Sequence, residues 1–525
     1  MAAKGSLGEA LVGTKSPGAI ANADAGVQED RCIGQTAVSD MARMFNGRSV
    51  FITGASGFIG RVLLEKLLRC YAGIKRIYIL MRVKKDESPE VRLHKRVLDV
   101  PLFDKIRSME NNGDLLNKIV LIHGDIGEQH LGICDADMKM MLDDETLSIV
   151  FHVAATVRFN EPLKKSVIHN LTATKSIVDF GRKLKNLISI CHVSTAYVNS
   201  HFPEEMKIEE KLYPINLTPQ QVMCVAEQLD TATMQHLKPH LVGKRPNTYT
   251  YTKALAEHLV AIEAIDLPVA IVRPTIVAGA WKEPLVGWVD NLNGADGMLV
   301  AISKGVLRSS HTRNDCAAEI VPVDVTVNTL IAAAYYVANN HGTIDSICEN
   351  PKLKVASAAH KEGDNKKCNI IKTDEGYCPE KHPPIFHINT CDLNRFTWGD
   401  QYHKIFPIVR NYPSVETYRY PFGSFKHNYY HDLITRLFVH YLPALILDGI
   451  CLILGKKRQL LWIYGKLHTA VFTMNHFTLH DYKFETKNKR LLEGMLNEYD
   501  RKELFMDIEN LDWQQYYKGY TLGMR

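Results

Sequence analysis

One run of the chain restricts the fold more than any other. Val50-Phe51-Ile52-Thr53 leads into Gly54-Ala55-Ser56-Gly57-Phe58-Ile59-Gly60, and Arg61-Val62-Leu63-Leu64-Glu65-Lys66-Leu67-Leu68 follows. Apolar, β-branched residues predict a buried strand, the glycines a tight turn and the leucine spacing a helix. Gly54 can take backbone angles closed to other residues. Gly57 has no side chain to hold a pyrophosphate away from the backbone, and Gly60 lets the helix pack close to the strand.

The next strand, residues 76–82, ends in Arg82, with Lys84 and Lys85 close behind. A dinucleotide with a free 2′-hydroxyl calls for Asp or Glu at this point. A guanidinium instead suits a 2′-phosphate, because its planar fork bonds two phosphate oxygens. The expected cofactor is therefore NADPH rather than NADH.

From about Asn46 strands and helices alternate steadily. Residues 118–126 give a third strand that ends in an acid, and 148–155 a fourth, nearly all apolar as a doubly covered parallel strand should be. Residues 187–193 give a fifth that runs into Ser194-Thr195-Ala196-Tyr197, and 269–274 a sixth that closes the sheet. The expected fold is α/β, a doubly wound parallel sheet with ligands at the carboxyl ends of its strands, plus a C-terminal helical domain. Residues 1–43, rich in Ala, Gly and Ser, read as a disordered tail without a secretory signal. Residues 44–420 read as the dinucleotide-binding domain, with loops over a cleft at 281–305 and a polar, flexible insertion at 351–383. Glu319-Ile320-Val321-Pro322-Val323-Asp324 is expected to start a helix that runs through Ala334. Residues 421–525 shift to aromatic and apolar helices, taken as a separate domain.

A chain of 525 residues suits two or three domains, and a net charge of +5 gives no reason to expect nucleic acid. The eleven cysteines show neither a CxxC pair nor metal-ligand spacing, which suits a reduced compartment and no bound metal.

Tyr249 and Lys253 stand four apart on a helix that Asn247 or Thr248 caps, so phenol and ammonium share a face. A free phenol titrates near pH ~10. A nearby cation brings proton donation to a substrate oxygen closer to neutral pH. Tyr251 points to another face and reads as packing. Thr195 offers a hydroxyl at the same place, with Ser194 as the alternative. Cys191 lies inside an apolar strand and reads as an inert core thiol. His123, His152 and His192, also in strands, read as satisfied core histidines.

The glycine loop taken with Tyr249-x-x-x-Lys253 looks like the extended short-chain dehydrogenase/reductase superfamily. More narrowly, the chain from about Met44 to Arg525 resembles the animal, especially insect, alcohol-forming fatty acyl-CoA reductases. The matching stretches are Thr53-Gly54-Ala55-Ser56-Gly57-Phe58-Ile59-Gly60, Tyr78-Ile79-Leu80-Met81-Arg82, His152-Val153-Ala154-Ala155-Thr156-Val157-Arg158-Phe159, His192-Val193-Ser194-Thr195-Ala196-Tyr197, Asn247-Thr248-Tyr249-Thr250-Tyr251-Thr252-Lys253, Val272-Arg273-Pro274, Trp281-Lys282-Glu283-Pro284 and Val321-Pro322-Val323-Asp324. The resemblance implies two NADPH-dependent reductions that take a long-chain fatty acyl-CoA to a primary alcohol for wax, cuticular or ether lipids. It implies Tyr249, Lys253 and Thr195 as the catalytic group. For the cofactor it implies Gly54, Ser56, Gly57, Phe58, Ile59, Gly60 and Arg82, Asp125 and Ile126 at the adenine, and Ala154, Ala155 and Thr156 at the ribose. Asn170 would reach Lys253 through water, and Pro274 would sit beside the nicotinamide. On the superfamily scaffold alone, a sugar-nucleotide or hydroxysteroid enzyme, or a silent NADPH-binding scaffold, remains open.

Residues 437–454 are largely apolar, and Lys456-Lys457-Arg458 follow. Asp448, His440 and Pro443 weigh against a spanning helix. The expectation is therefore a monotopic or hairpin insertion at a membrane surface. The resemblance points to the endoplasmic reticulum, or alternatively the peroxisome, with the catalytic domain in the cytosol.

Overall fold

The strand that begins the glycine motif, β1 (Ser49–Thr53), is buried at every position. With it lie β2 (Ile77–Met81), β3 (Ile119–His123), β4 (Leu147–His152), β5 (Ser189–Val193), β6 (Val269–Pro274) and β7 (Ile385–Ile388). Across the sheet the order is β7-β6-β5-β4-β1-β2-β3, and every ladder is parallel. The order reverses between β1 and β4, so a crevice opens beyond their carboxyl ends. The computed structural model describes residues 39–524 apart from 85–86, 110–111, 291–293, 341–369, 374–375 and 415.

Successive side chains of a strand point to opposite faces, which divides the apolar residues into two cores. Ile52, Ile79, Phe151, Cys191 and Val272 meet α1 (Phe58–Cys70) on one face. Phe51, Val150, Ile190 and Ile271 meet α2 (Ala173–Lys183) and α3 (Thr248–Glu263) on the other. On the first face α4 (Val323–Asn339) completes the cover, extending past Ala334 where the sequence pattern predicted its end.

The sheet has a seventh strand where six were expected. β7 pairs with β6 from Ile385↔Ile271 to Ile388↔Pro274 and comes more than a hundred residues later in the chain, beyond the reach of local alternation. Other expectations change as well. Residues 281–305, read as covering loops, include the helix Gly294–Ser303, and Ile320–Pro322, read as the start of the helix through Ala334, is a short strand paired with Ile276–Ala278. A helix, Asp40–Phe45, starts inside the stretch read as a tail and buries Met41 and Phe45; residues 1–38 lie outside the described residues. Within the expected insertion, Ile370–Thr373 and Gly376–Pro379 pair as an antiparallel hairpin whose Tyr377 bonds Ile215; residues 351–369 lie outside the described residues.

The C-terminal segment is interleaved with the sheet rather than set apart. Leu492, Leu504, Met506 and Ile508 share a core with α1 and α4, and Lys483–Phe484 pairs with Lys207–Ile208. A buried ion cluster joins the same parts. Lys66 of α1 pairs with Glu283 and with Glu503 at 2.8 Å, while Arg69 pairs with Glu65 at 2.7 Å and Glu283 at 2.9 Å.

Two helices form an apolar hairpin: α5 (Tyr429–Ile453, its middle a widened turn) and α6 (Leu460–Thr478). Helix α5 has a mean hydropathy of 1.6 over its best window and, by length and composition, is able to cross a membrane. Ile434, Leu437, Phe438, Leu445, Ile446 and Ile453 are each more than half exposed. Its polar residues turn inward instead. Asp448 is buried and its carboxylate accepts the backbone N–H groups of Gln459, Leu460 and Leu461 at 3.1, 3.1 and 3.0 Å, so it caps α6.

Candidate active site

The crevice beyond β1 and β4 is shaped by the glycines. Gly54 has φ +81°, and a Cβ there would come within 2.7 Å of the Ala154 nitrogen. A Cβ on Gly60 would collide with the Gly54 carbonyl. Gly57 sits at the N-terminus of α1, where unpaired N–H groups face any anion placed over the turn. Ser56, Phe58 and Ile59 are partly exposed around it.

Opposite lies the turn Ala154-Ala155-Thr156. Asn170 holds it, accepting from the Thr156 N–H at 2.8 Å and donating to the Thr156 carbonyl at 3.2 Å. Asn170 also donates to Thr252 Oγ1 at 3.0 Å, so its side chain is committed to the turn and to α3 rather than directly to Lys253. The Thr174 hydroxyl donates to the Asn170 carbonyl at 2.8 Å, and His152 Nε2 lies 3.2 Å from Thr174 Oγ1. Nε2 therefore carries the proton, and His152 Nδ1 accepts from Thr53 at 2.8 Å, tying the end of β4 to the end of β1.

At the end of β2, Arg82 pairs with Asp125 at 3.0 Å, and Asp125 also accepts from the Gly127 N–H at 3.0 Å. Ile126 lies partly exposed beside them. Lys84 is held below its ordinary value by burial and then by the charges of Arg82, Arg92, Arg158 and Arg96. Five cations converge here, which is the environment a phosphate takes. Arg92, Arg96 and Arg158 escaped the sequence reading. They come from a helix and a loop that only the fold brings to the end of β2.

Tyr249 and Lys253 stand on α3, whose N-cap is Asn247, accepting from the Thr250 N–H at 2.9 Å. Lys253 is buried and donates to the Val193 carbonyl at 2.6 Å. Burial pulls its ammonium down to about 8, with Glu257 acting the other way. Burial raises the Tyr249 phenol, and Glu257 pushes in the same direction. This is opposite to the downward shift expected from the Lys253 spacing: burial and Glu257, and not the ammonium, set the direction. Thr195 donates to the Pro274 carbonyl at 3.4 Å and accepts from the Tyr197 N–H at 3.3 Å. The Ser194 hydroxyl is buried with no partner among the described residues.

Tyr251 is buried in a separate apolar cluster with Leu255 and Leu259. Cys191 is fully buried, and burial raises its thiol. The histidines differ from expectation. His123 is exposed and pairs with Glu90 at 2.6 Å, while neither ring nitrogen of buried His192 has a hydrogen-bond partner among the described residues. No metal-binding group occurs among the described residues.

An aromatic wall starts at the phenol. The ring of Phe159 lies 5.9 Å from that of Tyr249 and 5.5 Å from Phe477 of α6, and Tyr197 lies 4.8 Å from Phe477. From Phe477 the apolar cluster continues along α6 through Met474, Val471 and Leu467 toward the exposed hairpin.

Residues 52–330 match a family described as "Male sterility protein", and residues 439–525 match a second family with the same description. Fatty acyl-CoA reductase 1 of Rattus norvegicus is 34% identical over 488 residues, 92% of this chain and 84% of that one. The Homo sapiens protein of the same name is 35% identical over 484 residues, again 92% and 84% of the two chains. The chain belongs to the fatty acyl-CoA reductase family. Among solved structures, the terminal R domain of the myxalamid pathway superposes with a TM-score of 0.51 at 17% identity, covering 91% of this chain and 90% of its own. The reductase domain of a Mycobacterium tuberculosis nonribosomal peptide synthetase gives 0.51 at 17%, covering 91% of both. These two share the fold.

As a fatty acyl-CoA reductase family member the protein is an oxidoreductase with a nicotinamide dinucleotide site, and the crevice fits that group. The glycine turn leaves no Cβ over the helix N-terminus, and Lys84 with its neighbouring arginines gathers positive charge at the end of β2. The family-specific Trp281-Lys282-Glu283 run is also explained. Its three N–H groups donate to the buried Asp324 carboxylate at 3.0, 2.7 and 3.2 Å, which presents Glu283 to the cations of α1.

Proposed function

We propose that this protein reduces a long-chain fatty acyl-CoA to the primary alcohol in two NADPH-dependent steps, releasing CoA after the first. What carries the reading is the meeting of the Tyr249–Lys253 pair with an aromatic wall that continues into the apolar C-terminal hairpin. NADPH, when bound, supplies the hydride of each step. Tyr249 delivers a proton to the carbonyl oxygen as charge builds there, and Thr195 turns its hydroxyl from Pro274 to the same oxygen. The buried Lys253 ammonium holds positive charge beside the phenol that gives up its proton. The first reduction yields a thiohemiacetal, whose collapse expels CoA thiolate and leaves the aldehyde. The aldehyde takes the second hydride and proton in the same place.

Arg82, Lys84 and the arginines around them support NADPH over NADH. Arg82→Ala is expected to weaken NADPH about ten- to a hundredfold and NADH little. Equal losses for both cofactors rule out a phosphate contact. Incubating the protein with NADPH and acyl-CoAs of graded length, then identifying products, tests the activity. Absence of alcohol overturns it.

The outward apolar face of α5 supports hairpin insertion into a membrane, at the endoplasmic reticulum or alternatively the peroxisome, with the catalytic part in the cytosol. Carbonate extraction should leave the full chain in the membrane pellet and release a full-length variant carrying Glu at Leu437 and Leu445. A native chain found soluble without detergent overturns the attachment.

A further inference from the structure

One buried cation, four residues from Tyr249, has no ion-pair partner among the described residues. Arg245 lies four residues before Tyr249, and its Nε donates to the Val198 carbonyl at 3.2 Å, three residues past Thr195. Its Nη2 is buried without a partner, and Arg245 makes no ion pair among the described residues. Glu257, the carboxylate whose field reaches it, is already engaged by Arg273 at 2.8 and 2.6 Å. Further orphaned atoms lie near. Asn199 Nδ2, on the residue after Val198, is buried and unpartnered, as are Tyr251 Oη and His201 Nδ1. The charge of Arg245 acts on both Tyr251 and His201. A buried guanidinium left unpaired is costly, because its lost hydration is not replaced. A set of donors around such a charge is what a ligand rich in acceptor oxygens fills.

The position of this cluster relative to the substrate identifies the oxygen. A thioester carbonyl at Tyr249 and Thr195 has an acyl chain on one side and the sulfur-linked arm on the other. The Phe159–Phe477–Tyr197 side is dominated by aromatic rings and aliphatic carbon, with the Tyr197 phenol as its hydroxyl, which suits the acyl chain. Arg245 and Asn199 flank the two segments that carry Tyr249 and Thr195, and they offer hydrogen-bond donors. Four residues span at most about 14 Å, which bounds the backbone separation of Arg245 and Tyr249, and the Arg245 guanidinium is anchored on Val198, three residues past Thr195. Resting on the acyl-CoA reading above, we infer that Arg245 and Asn199 hold the first amide carbonyl of the pantetheine arm. Arg245 thereby sets the thioester, but not the aldehyde, in register with Tyr249.

The test compares kcat/KM at saturating NADPH for four substrates of one chain length: the acyl-CoA, the acyl-pantetheine, the acyl-N-acetylcysteamine and the free aldehyde. Arg245→Gln should lower all three thioesters about ten- to a hundredfold, mainly through KM, and the aldehyde less than twofold. Arg245→Lys should fall between Arg245→Gln and the wild type. Should Arg245→Gln fail to fold, Asn199→Ala, which strands no charge, should give the same pattern at about three- to tenfold. Equal loss on thioesters and aldehyde overturns the inference, showing a structural role. Loss confined to the acyl-CoA overturns it too, moving the contact to the phosphates. A wild-type enzyme that turns over no thioester instead sinks the acyl-CoA reading itself.

Discussion

Two apolar stretches of this chain use the same residue types in opposite senses. β4 hides Leu147, Ile149, Val150 and Phe151 between two helical layers, and nothing on it faces water. α5 does the reverse. It turns Leu437, Phe438, Leu445 and Ile446 outward and buries Asp432, His440 and Asp448. Hydropathy does not distinguish the two; the partners of the polar residues do. In β4 the backbone is satisfied by neighbouring strands, so both faces are free to be apolar. In the hairpin Asp448 receives three free amides, His440 Nδ1 lies 2.9 Å from His468 Nε2, and Asp432 accepts from Ser309, outside the hairpin, at 2.6 Å, while the apolar face of α5 stays exposed.

Charges placed in each stretch should break that symmetry most. Val150→Asp buries a carboxylate without a partner, and a loss above about 4 kcal/mol is expected, seen as failure to fold. Leu445→Asp should shift the stability of detergent-solubilised protein by no more than about 0.5 kcal/mol and instead weaken recovery with membranes. A Leu445→Asp protein that unfolds like Val150→Asp would show α5 to be ordinary core.

At the seam between the two regions, Tyr249→Phe should cut aldehyde reduction about 10²- to 10⁴-fold with NADPH binding retained, while Tyr251→Phe stays within severalfold on the same substrate. If Tyr251→Phe is the inactive variant, the assignment of the α3 face is wrong.

Burial within the sheet region also sets a pH limit. The Lys253 ammonium is pulled down to about 8, so its charge is present below that pH and lost above it. kcat/KM should therefore fall about tenfold per unit above pH 8, and Lys253→Arg, where active, should lack this limb. A flat profile to pH 10 refutes the role of the charge.

The smallest expected effect is in the hairpin. Asp448→Ala strands three amides at the start of α6 and should cost about 1–3 kcal/mol, read as a lower Tm in detergent. No change would mean that water replaces the cap.

The glycine turn, the strands from β1 to β6 and the spacing of Tyr249 and Lys253 were legible because each is written within a few residues. β7 was not, since its partner lies more than a hundred residues earlier. Arg92, Arg96 and Arg158 read as surface charge until the fold gathered them around Lys84. Asp448 looked like an obstacle to a membrane helix because sequence shows its charge but not the three amides that receive it. For the same reason His192 read as satisfied and Arg245 drew no notice: whether a buried group has a partner is a property of the assembled chain.

The ion cluster on α1 has a consequence for how the chain is made. Lys66 and Glu503 are 437 residues apart. At ordinary translation speeds the ribosome completes α1 roughly 20–90 s before that last carboxylate exists. Until then Lys66 has Glu283 as its only carboxylate partner among the described residues, while Arg69 already has Glu65 and Glu283. The second carboxylate on Lys66 therefore arrives only with the final segment, and a chain that ends before it leaves Lys66 with one partner instead of two.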